Sequence, residues 1–274
     1  MLFGVVINIV LFVLSADALT RACIANRRTT LRHTLVWAWG AWFGWAATYA
    51  SSVWLTAQAA DVFRYLAICL SACAGVAVLG ARRPGVGAWN FVVAGLLAVM
   101  LLPLAEGLAV GGSLHLEGPR LLFLFSTLAV MVLNYLPTCL GAASMCLGIG
   151  GLLQLLTLVG PAALSEQLRD LDTWQMILVP AAVLLGHYAV RFRRPPHSEC
   201  DAIWLDFRDR FGLLWGQRMR EQFNRAAANA GWPVYLRWQG LRLARGAPLP
   251  APELQDEIVR ALRALLQRFQ YESR

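Results

Sequence analysis

The chain has 274 residues, of which 58% are apolar and only 15% charged. Soluble domains are close to a quarter charged, so this composition excludes an ordinary soluble protein and points to a bilayer. The formal net charge is +8 and all 24 basic residues are Arg. The absence of Lys excludes Schiff-base chemistry and a Walker-type phosphate loop.

Seven apolar stretches follow one another, at approximately 2–19, 35–57, 62–80, 86–110, 121–140, 144–164 and 174–190. Crossing a hydrocarbon core takes about 20 apolar residues, so each is a candidate span. The first has no basic flank before it and no A-x-A-like site after it, and is read as a retained span. Arg21, Arg27, Arg28 and Arg32 lie between the first two stretches. Arg82 and Arg83 follow the third, and Arg191, Arg193 and Arg194 follow the seventh. The other loops carry Asp61, Glu117, Glu166, Asp170 and Asp172 with only Arg64, Arg120 and Arg169. Because Arg gathers in cytoplasmic loops, this asymmetry predicts seven spans in the plasma (inner) membrane. The N-terminus is then outside and the C-terminus cytosolic. Dropping any one span would scatter the Arg to both sides.

Several residues inside the spans stand out, because ionisable groups there are costly and functional suspects by default. Asp17 and Arg21 are four apart and suit a local helical pair. The second span is rich in Trp, with Trp37 and Trp39 placed for an interfacial belt. Gly40-x-x-x-Gly44 and Gly107-x-x-x-Gly111 offer small faces for close helix contact. Arg64 and Glu106 fall at similar depth in the third and fourth spans, which predicts that they pair. Cys69 and Cys73 share a helix face, an incomplete set for a metal. Asn134 and Gln154 belong to the hairpin of the fifth and sixth spans, where Pro137, Gly148, Gly150 and Gly151 could interrupt the helices and open a substrate path. His187 lies near the cytosolic end of the seventh.

From 197 onward the composition is that of a soluble module, so the chain divides into a transmembrane domain, 1–196, and a cytosolic module, 197–274. Over 199–230, Trp204, Phe207, Phe211, Leu214, Trp215, Met219, Phe223 and Ala226 recur at helical spacing. Arg alternates with Asp and Glu between them, which favours a folded helix over one lying on the leaflet. Gly231 with Trp232-Pro233 marks its stop. Val234, Leu236 and Trp238 alternate with polar residues as one strand ended by Gly240, and a second amphipathic helix covers 252–271. A single strand has no partner inside the module, so Trp204, Phe207, Phe211, Trp215, Val234, Leu236 and Trp238 are the candidates for docking a protein partner or a second copy.

The predicted fold class is therefore mainly α and integral to the membrane: about seven transmembrane helices followed by a small helix–strand–helix module. The expected role is a non-enzymatic anchor or assembly subunit. No cofactor or metal site is implied, and the aromatics follow core spacing, not a nucleic-acid-binding signature. The alternatives are a transporter or channel built on Asn134, Gln154 and Glu106, or a membrane enzyme using His187, His115 or the Cys69/Cys73 pair.

Overall fold

The computed structural model describes residues 2–83, 85–110, 116, 118–193, 195–246, 248 and 250–270. Pro84, Gly111, His115, Glu117, Arg194 and Tyr271, each singled out in the sequence or within its expected elements, lie outside these.

Helix α1 (Leu2–Asn26) is followed by α2 (Arg32–Trp54), α3 (Ala57–Leu79), α4 (Val86–Met100) and α5 (Leu102–Val110). Then come α6 (Gly118–Tyr135), α7 (Gly141–Val159), the short α8 (Ala162–Asp170) and α9 (Asp172–Gln175), and α10 (Leu178–Arg191). Among the described residues, six helical stretches are long and apolar enough to cross a membrane: Phe3–Asn26, Ala57–Leu79, Val86–Gly107, Gly118–Tyr135, Gly141–Val159 and Asp172–Arg191. The protein is therefore an integral membrane protein of mainly α structure, and its apolar helix faces are suited to lipid contact.

Helix α2 is as long as α3 and packs along it, yet it does not reach that apolarity. Its indoles, which lower its apolar character, are spent on neighbouring helices. Trp37 donates to Asn90, Trp42 to Ser15 at 2.8 Å and Trp45 to Ser71 at 2.9 Å. Such interhelical bonds hold helices together where no hydrophobic force acts between them. Small residues do the same by close approach: a Cβ on Gly44 would lie 3.0 Å from the Ala67 backbone, and one on Gly148 2.5 Å from Val132. Helix α7 runs unbroken through Gly148, Gly150 and Gly151, so these glycines pack helices and do not open a path.

The fourth apolar stretch, expected as one helix, breaks at Leu101. Pro103 lacks an N–H and its ring crowds the carbonyl one turn back. Leu104 N turns to Leu101 O, and the Met100 carbonyl that it leaves is met by the Tyr65 hydroxyl at 2.5 Å.

The C-terminal module comprises α11 (Glu199–Asn229), β1 (Val234–Arg237), β2 (Gly240–Leu243), α12 (Pro252–Leu266) and a 3-10 turn, Gln267–Phe269. The Ser198 side chain accepts from Asp201 N to cap α11, and Gly231, at φ +67, ends it as a left-handed C′ residue should. One expectation is overturned here. The strand is not alone, because β2 pairs with β1 in an antiparallel hairpin with Leu236 opposite Leu241. Three of the hairpin's outward main-chain groups are also met: Asn224 bonds both Leu236 N and Leu236 O, and Asp201 accepts from Leu241 N at 2.7 Å.

The module does not close its core by itself. Leu31 and Ala81, from the α1–α2 and α3–α4 connections, are buried in it beside Trp204, Phe211, Leu262 and Phe269. Thr30 N and Oγ both donate to Phe269 O, Arg83 N donates to Arg268 O at 3.0 Å, and Trp215 Nε1 donates to Val78 O. The α1–α2, α3–α4 and α6–α7 connections and the segment after α10 thus gather at the module end. The α2–α3 connection and α8–α9 occupy the far end.

Candidate functional site

The intramembrane polar candidates fall at separate places. At the far end, Arg64 is 1% exposed and enclosed by acceptors. Its Nη1 donates to Asp61 at 2.5 Å, its Nη2 to Asp172 at 2.8 Å and its Nε to Gln154 at 2.6 Å. Gln154 in turn donates to Asp172 and Gln175, and Arg169 makes two bonds to Asp61. Two Arg meet two Asp, so charge is balanced, and α3, α7, α8 and α9 are tied together by groups whose desolvation is offset by multiple hydrogen bonds. The Asp61 contact also raises the pKa of Arg169, so this partner stays charged.

Arg64 therefore does not pair with Glu106, which instead takes two bonds from Arg120, at 3.1 and 3.3 Å, on an exposed surface. Depth along the chain was an insufficient guide, because the two acids that Arg64 meets come from one turn earlier on its own helix and from α9. Asp17 and Arg21 do pair, at 2.8 Å. Cys69 and Cys73 are both buried. Among the described residues no three His, Cys, Asp or Glu converge on a possible metal position.

Asn134 sits at the module end. Helix α11 is broken at Gly212, whose φ of +78 and ψ of −167 suit only glycine. The break uncouples Leu214 N from Arg210 O, and α6 meets both groups. Asn134 Oδ1 accepts from Leu214 N at 3.0 Å, and the Tyr135 hydroxyl donates to Arg210 O at 3.1 Å. Nearby, Asp209, 3% exposed, accepts from Cys139 N, Arg193 and Arg208. Trp238 Nε1 donates to Pro137 O at 2.7 Å. Gln154 is 13 residues beyond the start of α7, about 20 Å along the helix from this turn. Asn134, Gln154 and Glu106 thus share no site.

The module candidates are mostly interior. Trp204, Phe207, Phe211, Trp215, Val234 and Leu236 are all buried in the module's core, and Trp238 is partly buried against it. In this arrangement they pack the module, and the aromatics of α11 do not face lipid.

The remaining candidate, His187, opens onto the largest cavity described, about 620 Å³. It lies at the module end between α1, α10, the start of α2 and α11. Its lining combines apolar side chains, among them Ala18, Leu19, Ala22, Leu35, Leu140 and Val183, with the charged Arg21, Arg191, Arg193 and Arg210 beside Asp206 and Asp209. Arg210 is matched by Asp206, and Arg193 shares Asp209 with Arg208. Arg191 is exposed and has no ion-pair or hydrogen-bond partner among the described residues. Thr34 also lines this cavity; it is 8% exposed, and its hydroxyl has no partner among the described residues. The sequence marks Arg21, Arg191 and Arg193 as topology signals and Arg210 as part of a solvated helix face; only the fold brings them together around one cavity. Compared with known proteins, the chain matches no family model, no curated protein and no solved structure.

Proposed function

We propose that this protein is a seven-span inner-membrane protein, N-terminus outside and C-terminus cytosolic, that binds a membrane-borne amphiphile at its cytosolic face. The topology is supported by α2, which runs beside α3, and by the gathering of the Arg-rich connections at the module end. That Arg-rich end is the cytosolic one by the positive-inside rule.

The observation that carries the binding role is a cavity lined by both apolar and charged side chains at the module end of the membrane helices. Its volume falls in the range of small-molecule sites, about 300–1,000 Å³, and a molecule with an apolar body and a polar head would satisfy both kinds of lining. The test is native mass spectrometry of the full chain released from its membrane in mild detergent. A retained amphiphile is expected, lost from Ala22→Trp, which fills the space beside the apolar side chains. Protein bare in both samples would defeat the reading.

The anchor or assembly role remains a proposal with less support. A motive for it was an unpaired strand, but that strand is paired, and Leu236 N, Leu236 O and Leu241 N on the hairpin's outer side are occupied by Asn224 and Asp201. A transport role would need a path from the cavity to the far end. Between them lie the close-packed residues around Trp45, Tyr65, Ile68 and Leu155.

A further inference from the structure

We infer that the ligand of this cavity is an anionic phospholipid of the cytosolic leaflet, with its phosphate on Arg191 and an ester or phosphate oxygen on Thr34. The inference rests on the amphiphile-binding reading and adds the headgroup chemistry to it.

Two features on the cavity wall are unspent, and both call for an acceptor. Arg191 ends α10 as a cation with no partner among the described residues, while Arg210 pairs with Asp206 and Arg193 shares Asp209 with Arg208. The cavity therefore carries an excess of positive charge, which an anionic headgroup would offset. Arg also presents a planar fork suited to two phosphate oxygens. Thr34 is the second feature. A threonine in a membrane helix ordinarily donates its hydroxyl to a carbonyl one turn back, as Thr48 does to Gly44 O at 2.8 Å. Thr34 makes no such bond, and leaving a buried hydroxyl unmet is unfavourable unless a ligand oxygen accepts it.

The apolar lining decides the source of the phosphate. Ala18, Ala22 and Leu35 would offer nothing to free phosphate or a soluble phosphate ester, whereas an acyl chain would cover them. The C-terminal half of α1 and α10 lies at the level where leaflet headgroups sit under the proposed topology. Anionic lipids are attracted to Arg at that surface.

The experiment titrates the full chain in detergent with fluorescent phosphatidylglycerol and with phosphatidylcholine of the same acyl chains. Inorganic phosphate and glycerol phosphate are added as soluble competitors. Phosphatidylglycerol is expected to bind at least about tenfold more tightly than phosphatidylcholine, the worth of a charge-assisted contact. Arg191→Gln, at an exposed position, should reduce that preference to less than about threefold, and Thr34→Val should weaken both lipids. The soluble competitors should displace neither at millimolar concentration. Equal binding of the two lipids would overturn the inference while leaving the amphiphile reading in place. Binding of neither would overturn both. Displacement by inorganic phosphate, or full preference in Arg191→Gln, would overturn the headgroup assignment.

Discussion

Three residues illustrate how burial sets the cost of a charge or a polar atom. Arg64 touches Asp61, Asp172 and Gln154 with almost no exposure. Replacing one member of such a buried set leaves its partners uncompensated, so Arg64→Leu should cost about 3–5 kcal/mol. Thermal unfolding in detergent should show this as a large loss, and Arg64→Leu with Asp172→Leu should recover part of it. A single variant as stable as the wild type would show that the network contributes nothing. Asn134 works by the same physics on a neutral group. Its loss in Asn134→Leu leaves Leu214 N without an acceptor at a helix break, and a penalty of about 1–3 kcal/mol is expected. Tyr135→Phe, at the other half of the break, should cost less. Cys200 carries a pH signature. Burial first, then Asp201 and Glu199, push its thiol up to about 12 from an ordinary 9.0. The folded state keeps the proton longer than the unfolded chain does. The contribution is thus fully present below pH 9 and declines as pH rises from about 9 towards 12, by up to about 1.4 kcal/mol per unit. Denaturation at pH 7 and pH 10.5 should show a smaller alkaline loss for Cys200→Ala than for the wild type.

At the scale of elements, the break in α11 is where membrane helices and module meet most specifically. Gly212 adopts a conformation open only to glycine, and a Cβ there would lie 2.3 Å from Asn134 Nδ2. Gly212→Ala should therefore be destabilising by at least about 1–3 kcal/mol from backbone strain alone. The same thermal measurement checks it, and a neutral result would mean that the helix can straighten. Elements defined by periodicity were legible in the chain. The stop of α11 at Gly231, the amphipathic α12 and the apolar stretches follow from spacing that a single sequence displays. The second strand was missed although Leu241 and Leu243 alternate with Arg242, because Gly240 reads as the end of a strand and here opens the next one. The break at Leu101 had a visible cause in Pro103 but was read through. Pairings were less legible, because Arg64 and Glu106 agree in depth and differ in which side of the bundle they face. Spacing along one helix does not report the rotation of another. The cavity wall was illegible for the same reason, since its cations come from α1, α10 and α11 and meet only through the fold.

For the whole molecule, the module and the membrane helices share a core. Leu31 and Ala81 belong to interhelical connections yet pack among module aromatics, and the last described turn holds Thr30 and Arg83 by main-chain bonds. A chain ending at Pro196 exposes Leu31 and Ala81 and leaves Thr30 N without its acceptor, Phe269 O. It should insert but unfold at markedly lower temperature than the full chain and lose the α11 wall of the cavity. Unaltered stability would mean that the membrane helices stand independently of the module. The far end, held by the Arg64 network, and the module end, with its open cavity, give the protein one closed face and one receptive face. The central claim is that the receptive face holds a lipid-like molecule. A cryo-EM map of the full chain in native-lipid nanodiscs tests it most directly. Elongated density is expected along Ala18, Ala22 and Leu35, ending in a compact head beside Arg191. A cleft that is empty, or collapsed with Arg191 turned to an acidic side chain, would contradict it.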